Sequence, residues 1–200
     1  GSKVGAAIGL HPGIDSMAFT GSTDIGRQLL EYSAKSNLKQ INLELGGKST
    51  AVVLADAENL DSVAEHICYG AFCNMGENCT ANCRLIVHRD IKEDLMGRVL
   101  DKLREWKMGY PLDPSNLLGA MVTKSHFDSV MKYIAIGKKE KAKLITGGKA
   151  TKIDDGLYIP PTIFDDVTPY MVIAQEEIFG PVLTVHPVGS DDEAIKLAND

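Results

Sequence analysis

The stretch Met17-Ala18-Phe19-Thr20-Gly21-Ser22-Thr23-Asp24-Ile25-Gly26 decides the fold class of this chain. Residues 17–20 read as a short buried strand and residues 21–26 as a small-residue loop. Leu29, Leu30 and Tyr32 then follow at helical spacing. Asn37-Leu38-Lys39-Gln40 leads into a second strand over residues 41–45. Strand, helix and strand in that order predict a βαβ-like unit of the dinucleotide-binding kind. Backbone N–H groups and the helix dipole at its first turn favour an anion. The G-x4-G spacing departs from G-x-G-x-x-G, so an ordinary strand–helix turn fits the same residues.

The pattern stays α/β on both sides of this unit. Residues 3–9 read as the tail of a helix, and His11-Pro12-Gly13 as a turn. In Glu44-Leu45-Gly46-Gly47-Lys48 a carboxylate ends a strand, and two glycines let the backbone approach something closely. A solvated strand end is the plainer reading. A buried strand is expected over residues 49–54 and an apolar helix over residues 60–72, ended by a left-handed cap at Gly76. Cys79 follows, and then a buried strand over residues 84–88. A thiol on a bend between two buried elements is held in place while its sulfur can face a cleft. Equally, cysteine is a common small core residue.

Beyond that strand, Asp90 and Glu93 form a capping-box pattern for a helix from Ile91 to Trp106. A second amphipathic helix is expected over residues 123–139 and a strand over 142–145. Residues 158–164 contain Pro160-Pro161 and read as an edge or irregular strand. Residues 183–185 form an apolar strand, and Ser190 and Glu193 can cap a final helix. Both ends fall inside α/β units, so the expectation is a piece of a longer chain.

Composition narrows the function classes. Of 200 residues, 44% are hydrophobic and 24% charged, as in ordinary globular proteins, and the net charge is −6. That charge argues against nucleic acid as a partner, since phosphate binding needs clustered Lys and Arg. No apolar run reaches the roughly 18 residues of a membrane span, and no signal segment is visible. Cys68, Cys73, Cys79 and Cys83 fall in one window without a C-x2-C pair. This disfavours structural zinc or a disulfide framework and fits free thiols in a reducing, cytoplasmic setting.

Four motifs then point to one family. Phe19-Thr20-Gly21-Ser22-Thr23, Leu43-Glu44-Leu45-Gly46-Gly47-Lys48, the stretch from Asn74 to Arg84, and Glu176-Glu177-Ile178-Phe179-Gly180-Pro181 resemble the NAD(P)-dependent aldehyde dehydrogenase superfamily. The family's chain is more than twice this long, and these residues resemble its middle. The resemblance implies an α/β fold: the end of a Rossmann-like cofactor-binding domain over residues 1–44, then most of a catalytic domain over residues 45–200. It implies that Cys79 is the nucleophile, giving a thiohemiacetal and then a thioester. Glu44 matches the base that activates the hydrolytic water. Glu177 matches the residue that holds the nicotinamide ribose, Phe179 the aromatic beside the nicotinamide, and Gly21, Ser22 and Leu45 the remaining cofactor contacts. The Cys79 main-chain N–H matches half of the oxyanion site. NAD or NADP as cofactor, a small-molecule aldehyde as substrate and a homo-oligomer as the complete chain follow from the same resemblance. A CoA-acylating branch and a non-catalytic segment of the fold are the alternatives, and Glu44 favours hydrolysis. The family often has Gln where this chain has Met75 and Glu77, and a small residue where it has Cys83. Tyr69-Gly70-Ala71-Phe72 and Leu197-Ala198-Asn199-Asp200 bear a faint likeness to the branch acting on amino-aldehydes.

Overall fold

In the computed structural model, which describes residues 1–200, the chain divides into two units, Gly1–Gly47 and Lys48–Asp200. The first unit contains α1 (Ser2–Leu10), β1 (Ser16–Thr20), α2 (Thr23–Ala34) and β2 (Gln40–Glu44). β1 and β2 run parallel, in register from Ser16 opposite Gln40 to Thr20 opposite Glu44. The strand–helix–strand pattern therefore forms the βαβ unit that the sequence predicts. α2 starts at Ser22, whose side chain accepts the Ile25 N–H and satisfies one of the open donors of the first turn. At the other end of the unit, the buried Lys39 ammonium donates to the Gly9 carbonyl at 2.6 Å and to Ser36 Oγ at 2.7 Å. A cation thus sits on the last carbonyls of α1, where the helix dipole favours it. One expectation fails here, because neither strand is buried. Met17, Phe19, Ile41 and Leu43 are only half-buried, alternating with exposed neighbours in a sheet of two strands.

The second unit is built on a five-stranded sheet. Its strands are β3 (Thr50–Val53), β4 (Arg84–His88), β5 (Lys143–Thr146), β8 (Thr162–Asp165) and β9 (Val182–Val188), in the order β3-β4-β9-β8-β5. The first four are parallel, and β5 joins antiparallel. The helices are α3 (Leu60–Phe72), α4 (Arg89–Leu103), α5 (Lys124–Lys139), the single turn α6 (Val172–Gln175) and α7 (Asp191–Ala198). A small hairpin pairs β6 (Thr151–Ile153) with β7 (Gly156–Tyr158).

Both faces of this sheet are covered, which explains the continuous apolar runs in its central strands. Leu85, Val87, Ile163, Leu183 and Val185 pack with Ala64, Ile67, Phe72, Leu95 and Val99 of α3 and α4. Phe164 and Val182 join α5 and α6 through Val130, Ile134 and Ile173, while Ile86 and Val188 meet Ala194 of α7.

Several local expectations are revised. β3 is the edge strand, and only Val53 in it is buried. The helix before Cys79 spans Leu60–Phe72 as expected, but Cys73 rather than Gly76 caps it. α4 is capped by His88, whose Nδ1 accepts the Asp90 N–H at 3.3 Å, so Asp90 lies inside the first turn. The segment holding Pro160-Pro161 is two strands, with the prolines between β7 and β8. β8 itself is wholly buried and interior. Asp165 at its end receives Lys92 Nζ at 2.9 Å. Burial alone would pull the Lys92 ammonium down, but the hydrogen bonds it donates to Asp165 and Asp166 outweigh it and hold the group above its ordinary range. Ser190 does cap α7, accepting the Glu193 N–H, and Glu193 accepts back from Gly189 N–H.

His186 on β9 is buried, with Nε2 3.0 Å from Thr184 Oγ1. Burial pushes it down to about 4, and the nearby Arg84 and Lys48 charges act in the same direction. The folded state therefore holds His186 neutral while the unfolded chain takes up its proton near pH 6.5. Between those two values the unfolded state binds more protons, so stability falls as pH drops from about 6.5 towards 4. The slope from this group is about 1.4 kcal/mol per pH unit. Chemical denaturation at pH 7, 6 and 5 should show this loss in the wild type and a flatter profile in His186→Gln. Parallel profiles would contradict the assignment.

Candidate functional site

Three candidate segments far apart in sequence reach the same edge of the second unit's sheet. The register sets Thr50 opposite Arg84, and Arg84 opposite Thr184. Lys48 therefore lies just before β3, the Cys79 segment just before β4, and Glu177 to Pro181 just before β9. All three occupy the amino ends of adjacent parallel strands.

The Cys79 segment is shaped by unusual backbone. After α3, the chain makes one 3-10 turn, Cys73–Gly76, in which Asn74, Met75 and Gly76 have φ of 51°, 56° and 67°. Left-handed geometry costs roughly 1–2 kcal/mol for each non-glycine residue, so specific contacts must hold it. Asn74 Nδ2 donates to the Glu77 carbonyl at 3.0 Å, the Glu77 N–H donates to the Asn74 carbonyl at 3.0 Å, and the Gly119 N–H reaches Met75 Sδ at 3.2 Å. At Gly76 the backbone runs against another backbone: a Cβ there would stand 2.6 Å from the Gly180 carbonyl carbon. Glycine is required on both counts.

Cys79 follows, exposed, and Asn78 Oδ1 braces the next residue by accepting from Thr80 N–H and Oγ1. The core-residue reading of Cys79 thus fails. It describes Cys68, which is buried and whose thiol burial pushes up to about 12. Cys83 is half-buried, with Sγ 3.8 Å from the Ser49 carbonyl. Arg84 anchors the end of the segment, donating from Nε to the Lys48 carbonyl at 3.2 Å and to Thr50 Oγ1 at 3.0 Å. The Lys48 Nζ is itself buried without a hydrogen-bond partner. Burial lowers its pKa, opposed by the nearby Cys83 thiol.

On the neighbouring segment Glu177 is half-buried, and Phe179 is 39% exposed with φ of 55°. Glu176 accepts the Tyr133 hydroxyl at 2.7 Å, which pushes Tyr133 up to about 12. Sequence reasoning missed the side chain that bridges the two segments. His126, in the first turn of α5, has Nε2 2.6 Å from the Phe179 carbonyl and 3.5 Å from Glu77 Oε1. No motif marks this histidine, and only its tertiary contacts reveal it.

The first unit gathers its own candidates around one turn. The Gly21 N–H donates to the Glu44 carbonyl at 3.1 Å, joining the end of β1 to the end of β2. A Cβ on Gly21 would stand 2.5 Å from the Phe19 ring, so the ring lies against this turn and leaves room only for glycine. Leu45 packs over Gly26 of α2, and the Glu44 residue is exposed.

The whole chain is similar to known proteins. The family model described as the aldehyde dehydrogenase family matches residues 1–200. The chain is 48% identical to aminoacetaldehyde dehydrogenase of Pseudomonas aeruginosa, over all of this chain and 40% of that protein. It is 43% identical to human retinaldehyde dehydrogenase 3, covering all of this chain and 38% of that one. A P. syringae indole-3-acetaldehyde dehydrogenase, solved as a cysteine-to-alanine mutant with NAD+ and IAA, superposes with a TM-score of 0.96 at 45% identity. That match covers 98% of this chain and 40% of the other. The chain therefore spans about two fifths of the length of these relatives.

The packing at Gly76 yields a direct test. Gly76→Ala must shift the backbone at Gly180 and place a side chain at positive φ. The expected loss is about 2–4 kcal/mol of unfolding free energy by chemical denaturation. A change below roughly 0.5 kcal/mol, the range of ordinary surface substitutions, would show that the contact is dispensable.

Proposed function

This chain belongs to the aldehyde dehydrogenase family, and on that premise we propose that the protein oxidises an aldehyde to a carboxylic acid with NAD or NADP through Cys79. One observation carries the reading: Cys79 is exposed, three residues after the end of a turn locked in left-handed geometry against the Gly180 backbone. A thiol so held is accessible to a substrate yet fixed in position, which is what covalent catalysis needs. The first unit is taken as the end of the cofactor-binding domain and the second as the catalytic domain.

The Cys79 thiolate attacks the aldehyde carbon. A C–S bond forms, and the carbonyl electrons move to oxygen, where the Cys79 main-chain N–H donates a hydrogen bond. The bound nicotinamide cofactor supplies the hydride acceptor. Loss of hydride from the tetrahedral carbon leaves a thioester on Cys79. Glu44 takes a proton from water, whose oxygen attacks the thioester carbon. The C–S bond then breaks, releasing the acid and the Cys79 thiolate, and Glu44 gives up its proton to solvent.

The residues fit a dinucleotide in their donor set. The helix start after Gly21 and Ser22 offers first-turn N–H donors of the kind that would hold a pyrophosphate. Glu177 would hold the ribose hydroxyls, and Phe179 would lie beside the nicotinamide. The substrate is a small-molecule aldehyde, and a homo-oligomer in the cytoplasm is the assembly and setting proposed for the complete chain. No helix is long and apolar enough to cross a membrane.

Absorbance of the reduced cofactor tests the scheme in the protein at the full length of its relatives. With a panel of aldehydes and NAD or NADP, Cys79→Ala should abolish the signal. Glu44→Gln should keep a burst of about one equivalent and lower the steady rate by at least tenfold, the ordinary scale of a general base being about 100-fold or more. Full activity in the Cys79 variant, or an absolute requirement for CoA, would overturn the reading.

A further inference from the structure

Glu77 stands two residues before Cys79, and its carboxylate is nearly buried, at 8% side-chain exposure. A buried carboxylate requires partners. One is the Val122 N–H, at 3.2 Å from Oε1. The other is His126, whose Nε2 lies 3.5 Å from the same oxygen. That nitrogen also lies 2.6 Å from the Phe179 carbonyl. A carbonyl can only accept, so Nε2 carries a proton and donates it to Phe179, with the Glu77 carboxylate as its second neighbour. The Phe179 ring meets the imidazole edge-on at 5.8 Å, and Phe179 itself sits at φ of 55°, a costly conformation for a bulky residue.

Three facts thus converge on one side chain. His126 belongs to α5, neither to the cysteine segment nor to the Phe179 segment, and it touches both. It pins the carbonyl of a strained residue. It is also the only side chain paired with the nearly buried Glu77 carboxylate, two residues before Cys79. We infer that His126 is a positioning residue, a clamp that fixes Phe179 for the nicotinamide and offsets the Glu77 charge next to the nucleophile. The inference rests on the assignment of Cys79 and Phe179 made above. It adds a role for a histidine and a glutamate that the reaction scheme does not use.

Two measurements on the full-length protein decide it, and neither depends on turnover. The first is the rate of Cys79 alkylation by iodoacetamide without cofactor, read by peptide mapping. The second is the dissociation constant for NAD, read by protein fluorescence. His126→Ala leaves the Glu77 carboxylate with one donor and Phe179 unpinned. It should slow Cys79 alkylation at least threefold and weaken NAD about tenfold, while far-UV circular dichroism stays unchanged. His126→Gln retains an N–H donor of similar reach and should restore NAD affinity to within twofold. In a Glu77→Gln background, His126→Ala should no longer slow alkylation, because the charge it offset is gone. Unchanged alkylation and affinity in His126→Ala, equal losses in His126→Gln, or the same slowing with and without Glu77 would each overturn the clamp. If the wild-type protein binds no NAD, the functional reading fails, and the alkylation rates alone still decide whether His126 offsets Glu77.

Discussion

The close approach of Gly76 to the Gly180 backbone is the constraint on which the second unit's candidate site depends. It locks the segment before β4 to the segment before β9, and so couples Cys79 to Glu177 and Phe179. The parallel register of β3, β4 and β9 brings these segments to one edge, but register alone leaves their loops free. Contact between two backbones fixes them, and it is possible only where no Cβ intervenes. The cost of three left-handed residues in a row is met by hydrogen bonds from Asn74, Glu77 and Gly119, and by the packing at Gly180. Strain held at a defined point by surrounding contacts is the usual way a fold keeps a reactive side chain pre-positioned. Open α/β sheets commonly bind ligands at the carboxyl ends of their strands. The candidate residues of the second unit lie at the amino ends instead.

Environment separates the cysteines by chemistry. Cys68, on α3, is sealed in the core against α4, with its thiol pushed up to about 12, which makes it inert at neutral pH. Cys79 is exposed and follows the locked turn. Two residues before it Glu77 is nearly buried, with His126 between Glu77 and Phe179. Lys48, just before β3, is buried without a hydrogen-bond partner, its pKa lowered by desolvation.

Much of this was legible in the sequence. The βαβ order around Gly21, the helix over Leu60–Phe72, the strand Arg84–His88 and the helix Lys124–Lys139 all follow from local pattern, because each element's own residues specify it. The family was legible from four short motifs in order. The sequence misled where a neighbour outvoted the local signal. Residues 158–164 contain two prolines and read as an edge or irregular strand, yet the prolines fall outside β8, which pairs with β9 on one side and β5 on the other. Gly76 looked like a helix cap, but Cys73 already turns the chain, and the glycine serves the contact with Gly180 instead. His126 was invisible because its role comes from Glu77 and Phe179, about fifty residues away on either side.

The central claim is that the proposed chemistry runs through a covalent bond to Cys79 and to no other thiol of the group. Mass spectrometry of the Glu44→Gln protein at full family length, acid-quenched during reaction with an aldehyde and NAD, tests this most directly. The account predicts an acyl adduct, two hydrogens lighter than the simple aldehyde adduct, on the peptide at Cys79 alone. An adduct on Cys73 or Cys83, or none on any cysteine while reduced cofactor accumulates, would contradict it.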